Sequence, residues 1–168
     1  MVDDLRGMFA FALWDNKKNA LLLARDPYGI KPLYYSDNGE TIRLASQVKA
    51  LLAGGVVSFE KNPAGIVGFY LLGSIPEPHT LYKDIKAVPA GSFIWIDPNG
   101  AAKSSSFFNI KKIFSEARNQ QVNLNAMDFK QIVNDALNET IKYHFIADVP
   151  VGAFLSGGID SNAIMALA

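Results

Sequence analysis

The sequence predicts two architectures in one chain: an antiparallel α+β domain, followed by the first helix, strand and helix of an α/β domain. Three observations indicate this. Short apolar runs separated by tight turns fill the N-terminal part, as in antiparallel sheets. A polar stretch follows at Ala101–Asn125. A long helical stripe, an apolar run and a glycine turn then come in the order that opens a parallel α/β sheet.

Paired strands are predicted first. Gly7–Asp15 is apolar at nearly every position, which is typical of a strand covered on both faces. Asn16–Asn19 turns the chain into a second strand at Ala20–Asp26, so that a hairpin is expected. Lys31–Ser36 and Thr41–Ser46 are the third and fourth predicted strands.

Two helices follow. Ser46 is the predicted N-cap of a short helix that ends at the pair Gly54 and Gly55. Asn62 before a first-turn proline predicts a second helix over Pro63–Leu72.

The first domain closes with a loop and a strand. Gly73–Gly91 is rich in proline and glycine and predicts an ordered loop. Ser92–Asp97 is a predicted strand, and Pro98–Gly100 is a turn. Trp14 and Trp95 fall within apolar strands and are therefore expected in the core.

The polar stretch Ala101–Asn125 has no steady period and predicts a linker that is helical in part at best. Within it, Ser104–Ser106 is expected to be a flexible spacer, and Phe107 and Phe108 are candidates to anchor the linker to the first domain. We divide the chain into a first domain at 1–108, a linker at 109–126 and a second domain at 127–168.

The second domain begins with a strong helical pattern. Apolar residues recur at steps of three and four across Met127–Ala147. Asp148–Leu155 is then a predicted buried strand, and Asp160–Ala168 starts another helix.

Composition and charge exclude several classes of function. The 168 residues carry 16 basic and 16 acidic side chains, which argues against a nucleic-acid or membrane-surface partner. The chain has no cysteine, which excludes disulfides, thiolate metal sites and a cysteine nucleophile within it. No apolar run is as long as a membrane span, and we expect a soluble, cytoplasmic protein. His79 and His144 stand without a second ligand at metal-site spacing, so a histidine metal site is not expected.

The glycine turn between the last predicted strand and helix has the composition of a phosphate site. Gly157 and Gly158 allow positive φ and close approach of a ligand, and amides at a helix start attract anions. Ser156 and Ser161 add hydroxyl donors. Asp160 repels phosphate directly, but Mg²⁺ between the two would remove that conflict. The alternative is a purely structural turn in which Asp160 and Ser161 cap the helix.

Together with the preceding Asp148–Gly152, this turn resembles the pyrophosphate loop of ATP-pyrophosphatases in the form that the asparagine synthetase family uses. The resemblance implies that Leu155 borders ATP and that the loop through Ile159 binds it. Phosphate would be held by four residues, which are Ser156, Gly157, Gly158 and Ser161. Asp160 would serve Mg²⁺-pyrophosphate, and Asn162 replaces the serine or threonine that is common there.

The N-terminal part resembles the later part of the glutaminase domain of glutamine-dependent members of that family. The matching segments are Leu5–Asp15, Leu22–Tyr35, Leu44–Ala53 and Leu81–Ile96. Gln47 stands where the family often has glutamate. The resemblance implies an N-terminal-nucleophile (Ntn) hydrolase domain with a catalytic cysteine, which this chain lacks. We therefore expect an internal segment of a longer enzyme, with no catalytic residue of its own and little affinity for ATP alone.

The implied reaction makes asparagine from aspartate, glutamine and ATP through an aspartyl-adenylate, and releases AMP and pyrophosphate. The resemblance also allows a homodimer. Two alternatives stay open: an amide-forming enzyme like β-lactam synthetase with an inert first domain, and a non-catalytic interaction module.

One motif of the first half has two interpretations. Arg25 and Asp26 could form a site wall or a contact between domains. The favoured interpretation is a structural ion pair beside the Pro27–Gly29 turn, since arginine–carboxylate pairs commonly fix turns.

Overall fold

A computed structural model describes residues 2–119 and 124–168, which form two compact units. The first unit runs to Ile113 and the second begins at Phe114. Part of the predicted linker, residues 120–123, lies outside the described residues.

The first unit is α+β and is built on two antiparallel sheets. Its strands are β1 (Ala10–Asp15), β2 (Ala20–Arg25), β3 (Tyr34–Asp37), β4 (Ile42–Ala45), β5 (Lys86–Ala87), β6 (Ser92–Ile96) and β7 (Ala102–Ser106). One sheet has the order β1-β2-β6-β7, and the other has the order β4-β3-β5. A short 3-10 helix at Val2–Asp4 precedes them. The predicted hairpin is confirmed, with Leu13 opposite Leu22.

The buried side chains form two clusters. The larger combines Leu23 of β2 with Ile94 and Ile96 of β6, and is completed by Leu33 and Val88. The second cluster consists of Leu51, Leu52, Val57 and Ile85, and it lies against Tyr34 of the smaller sheet. Both clusters therefore depend on segments that are distant in sequence.

The prediction that β1 is covered on both faces is wrong. Leu13 and Trp14 are exposed, the latter at 56%. Successive side chains of a strand point to opposite faces, so neither face of this edge strand is covered at Leu13 and Trp14. Consequently the prediction of Trp14 as a core residue is also wrong, whereas Trp95 on the inner strand β6 is half-buried.

The two helices of this unit differ in how they start. Helix α1 (Val48–Ala53) begins after Gln47 without a side-chain cap, so the prediction of Ser46 as the N-cap is wrong. Helix α2 (Pro63–Leu72) is confirmed, since Asn62 caps it by accepting a bond from the Ala64 N–H.

The predicted linker starts too early. Its first residues, including the expected spacer Ser104–Ser106, form β7, which pairs with β6. The following residues are tied to the same sheet, because Gly91 O accepts bonds from the N–H groups of Phe107 and Phe108. The Phe107 ring also stacks on Phe9, so the prediction that this aromatic pair anchors the chain to the first domain is confirmed. Helix α3 (Ile110–Asn119) then follows.

The regular elements of the second unit, over the residues described, are helices. The predicted long helix is confirmed as α4 (Ala126–His144), with Asn125 as its N-cap, and the last helix is α5 (Ile159–Leu167). The predicted strand over Asp148–Leu155 is wrong: this segment has no regular structure, and Phe154 is fully exposed. A strand needs a hydrogen-bonded neighbour, and the described residues of this unit contain no other strand.

Within the described part of the chain, none of the helices combines the length and the hydropathy that crossing a membrane requires.

Candidate functional site

The predicted phosphate turn lies in the second unit, between the irregular segment and α5. Gly158 is the N-cap residue, with φ −81° and ψ 152°. Neither glycine of the turn adopts positive φ, so the expectation of left-handed backbone there is wrong. The space beside the turn is open instead, since a Cβ on Gly157 would meet no atom within 4 Å. Glycine therefore serves here by leaving the backbone uncovered.

Two serines on opposite sides of the turn are brought together. Ser156 Oγ and Ser161 Oγ are 2.9 Å apart. Ser161 Oγ also lies 2.9 Å from Ser156 O and 3.0 Å from Gly158 O, and its single proton is shared between these carbonyl acceptors. This network closes the turn on itself, with the exposed Ser156 hydroxyl donating to Ser161 Oγ.

The amides at the start of α5 remain available. Gly158 N–H points to Ser156 Oγ at a long 3.4 Å, and no side chain caps the helix. The N–H groups of Ile159, Asp160 and Ser161 donate to no residue within 2–119 or 124–168. The capping alternative is therefore not the geometry adopted, because Ser161 donates to carbonyls and does not accept from an amide.

The other predicted site residues are exposed around the turn. Leu155 and Ile159 project apolar side chains into solvent, and Asp160 lies exposed in the first turn of α5. Asn162 Nδ2 donates to Gly158 O at 2.9 Å, so this side chain braces the turn. A hydroxyl and several unpaired amides at a helix N-terminus can receive an anion with oxygen acceptors.

The Arg25 motif of the first unit is structural, but its ion pair differs from the prediction. Arg25 is buried, and its guanidinium pairs with Glu77 at 2.5 Å rather than with Asp26. The remaining N–H groups donate to the backbone oxygens of Lys31, Gly29 and Val88, at 2.7–2.8 Å. Glu77 was missed because no local pattern signals a partner 52 residues away in sequence.

Asp26 holds the turn that follows it. One carboxylate oxygen accepts the N–H groups of Tyr28 and Ile30, and the other accepts that of Lys31. Burial acts to raise the pKa of the Asp26 carboxyl, but these backbone donors together outweigh it and hold the pKa below its usual value. The backbone of Asp26 also bonds Phe9 O and Gly91 N–H, which joins three distant segments.

Residues 1–108 match the family described as glutamine amidotransferase domain. The chain belongs to the glutamine amidotransferase domain family. Residues 132–168 match a second family, described as asparagine synthase, and this range contains the whole phosphate turn. The two matches follow one another along the chain in the order that the sequence motifs predict.

Three curated relatives are similar over nearly the whole chain. Asparagine synthetase [glutamine-hydrolyzing] 1 of Bacillus subtilis (strain 168) is 37% identical over 165 residues, which is 98% of this chain and 25% of the relative. Asparagine synthetase B [glutamine-hydrolyzing] of Escherichia coli (strain K12) is 34% identical over 168 residues, 99% of this chain and 24% of the relative. Asparagine synthetase [glutamine-hydrolyzing] 3 of Bacillus subtilis (strain 168) is 32% identical over 168 residues, which is 99% of this chain and 26% of the relative. The chain thus spans about a quarter of the length of the curated relatives that it matches.

Proposed function

We propose that this chain carries two parts of a glutamine-dependent asparagine synthetase: the later part of its amidotransferase domain and its pyrophosphate-binding loop. In the proposed reaction ATP activates aspartate as an aspartyl-adenylate, ammonia from glutamine forms asparagine, and AMP and pyrophosphate leave. The family matches to both halves and the names of the relatives support this proposal.

The observation that carries the proposal is the open turn at Ser156–Ser161. Its unpaired amides at the start of α5 suit the terminal phosphates of ATP, and the Ser156 hydroxyl can rotate its proton from Ser161 Oγ towards a bound phosphate. The donor set fits because phosphate offers only acceptor oxygens, and Gly157 leaves the approach uncovered. We assign Leu155 and Ile159 to the border of the nucleotide, where exposed apolar side chains would gain contact.

Asp160 is assigned to Mg²⁺. A carboxylate beside a pyrophosphate is repelled unless a cation lies between them. Magnesium is commonly held by one or two carboxylates together with substrate phosphates and water, so the single carboxylate of this turn is sufficient.

We further propose that the sheets of the first unit belong to an Ntn-hydrolase-type domain and that α4 and α5 begin an ATP-pyrophosphatase-type domain. The boundaries 1–108, 109–126 and 127–168 belong to this proposal, as do a cytoplasmic location and a homodimer. The proposal gives the enzyme no nucleic-acid partner and no membrane attachment. We assign no catalytic residue of glutamine hydrolysis to this chain, because the proposed nucleophile is a cysteine and the chain contains none.

A titration of the full chain with inorganic pyrophosphate and Mg²⁺, followed by amide NMR, tests the assignment. We expect weak binding that shifts the amides of Gly157–Ser161. Asp160→Asn should abolish the dependence on Mg²⁺, and Ser156→Ala should weaken the shifts. Asp37→Asn, at the exposed last residue of β3 in the first unit, is the matched control and should leave the shifts and their dependence on Mg²⁺ unchanged. Equal shifts over the whole surface, or none at the turn, would exclude the assignment.

A further inference from the structure

The chain contains two Asn-Gly pairs, at Asn38–Gly39 and Asn99–Gly100. Each lies in a hairpin turn, the first between β3 and β4 and the second between β6 and β7. Both asparagines are exposed. The two turns line the same surface groove of about 500 Å³. The same dipeptide therefore occurs twice along one groove, and the local hydrogen bonds of each asparagine can be compared.

Asparagine is chemically labile, because its side-chain amide can be lost by deamidation. A following glycine favours this reaction, since no side chain hinders attack by the glycine nitrogen. In that reaction the glycine N loses its proton and its lone pair attacks the asparagine Cγ. The Cγ–Nδ2 bond breaks and ammonia leaves, which closes a five-membered succinimide. Water then opens the ring, giving aspartate when the Cγ–N bond breaks or isoaspartate when the backbone C–N bond breaks.

The side chain of Asn38 is held by its own turn. Its Oδ1 accepts the N–H of Glu40 at 3.1 Å and that of Thr41 at 2.8 Å. The attacking nitrogen, Gly39 N, donates to Asp37 Oδ1 at 2.8 Å. Rotation of the Asn38 side chain towards Gly39 N therefore requires several bonds to break together.

The side chain of Asn99 has no such restraint. Its amide group makes no hydrogen bond to any part of the chain that the structure describes, and the carboxylate of the turn, Asp97, binds the backbone N–H groups of Asn99 and Ala101. The attacking nitrogen, Gly100 N, is held only by one bond of 3.0 Å to Asp97 O. The turn at Asn99 therefore holds the attacking nitrogen by one backbone bond, and within the described residues the asparagine side chain has no hydrogen bond to break before it rotates towards that nitrogen.

We propose that Asn99 is the site at which this protein deamidates spontaneously, and that the turn at 37–41 protects Asn38. The product places a further carboxylate, or an isoaspartyl backbone, on a groove that Asp37, Glu40 and Asp97 already line. Exposed hydrogen bonds of the kind that restrain Asn38 add modestly to the barrier for its deamidation. Asn99 should therefore react about fivefold faster than Asn38 in the folded protein.

Mass spectrometry of the full chain after incubation in mildly alkaline buffer tests the proposal. Trypsin separates the two sites, because cleavage gives the peptides 26–43 and 87–103. Each peptide is scored for the mass increase of an amide-to-acid conversion and for its isoaspartate content. Asn99→Gln is the control variant, and conversion of peptide 87–103 should disappear in it.

A parallel incubation in concentrated urea separates the effect of the fold from that of sequence neighbours. We expect the ratio of the two rates to approach one when the turns are unfolded. Similar rates in the folded chain, a faster Asn38, or an unchanged ratio in urea would each overturn the proposal.

Discussion

Each unit of this chain contains a short apolar run, but only the run in the first unit forms a buried strand. In the first unit the apolar run of β2 is buried between two strands, and Leu23 is inaccessible to solvent. In the second unit the apolar run at 148–155 is exposed and irregular. Within residues 124–168 Ile141 is the only buried apolar side chain.

An apolar run thus specifies burial only where its backbone finds hydrogen-bond partners. β2 exchanges hydrogen bonds with β1 and β6, so its side chains enter a shared core. The segment at 148–155 is also mostly apolar, although it contains Pro150 and Gly152, and the described residues of its unit offer no strand to pair with. Stability should therefore reside in the first unit, while the proposed ligand loop lies in the second.

The largest expected effect is the loss of a core side chain. Leu23→Ala should lower the free energy of unfolding of the first unit by about 2–5 kcal/mol, because it leaves a cavity among Leu33, Val88 and Ile94. Leu137→Ala in α4 is the matched control and should change it by less than about 0.5 kcal/mol. Urea titration followed by tryptophan fluorescence measures this unit alone, since Trp14 and Trp95 both lie in it.

Equal effects of the two leucine substitutions would contradict the comparison. That result would mean that α4 contributes as much as β2 to the stability of the first unit, so that the two units unfold together.

The next effect concerns Asp26 and depends on pH. Asp26→Asn should cost about 2 kcal/mol at neutral pH, since an amide cannot accept all three backbone N–H groups that the carboxylate accepts. Because the pKa of Asp26 is lowered in the folded state, its contribution is complete above the usual aspartate pKa. It disappears as pH falls below about 4, through the folded-state pKa.

Urea midpoints measured from neutral to acidic pH test this sign. The difference in urea midpoint between the wild-type chain and Asp26→Asn should shrink as the pH is lowered. A difference that stays constant or grows in acid would show that the carboxylate charge is not the stabilising feature.

A smaller effect is expected at the helix caps. Asn62→Ala removes the cap of α2 and should lower the stability of the first unit by about 1 kcal/mol. Asn125→Ala removes the equivalent cap of α4, where Asn125 Oδ1 accepts from Met127 and Asp128. This substitution should reduce the helix content that circular dichroism measures. It should leave the urea transition followed by tryptophan fluorescence unchanged. A shift of that transition by Asn125→Ala would mean that the units unfold together.

Local signals explain what the sequence predicted well. The Asn62–Pro63 cap and proline, the hairpin turn at 16–19 and the helical stripe of α4 each depend on neighbouring residues, and each is present. β7 was missed because its Ala-Lys-Ser-Ser-Ser sequence has no apolar alternation, and its strand form comes from pairing with β6. The same reason applies to the Arg25–Glu77 pair, which only the tertiary fold brings together.

The sequence predicted which residues form the candidate site, but it did not predict the backbone conformation of the turn. The sequence placed hydroxyls, glycines and a carboxylate at the start of a helix, and the structure gathers Ser156 and Ser161 there. Positive φ was expected from glycine composition alone. The backbone instead enters α5 in an extended conformation at Gly158, which is the ordinary geometry of an N-cap.

The assignment of the loop at Ser156–Ser161 to ATP and Mg²⁺ is tested most directly by placing this chain in a complete enzyme. The matching quarter of asparagine synthetase 1 of Bacillus subtilis, 37% identical over 165 residues, can be replaced by this chain. We expect this chimera to make asparagine with ATP, and we expect Asp160→Asn within it to abolish synthesis but leave glutamine hydrolysis intact. A chimera that hydrolyses glutamine and makes asparagine equally well with Asp160→Asn would contradict the assignment of the loop.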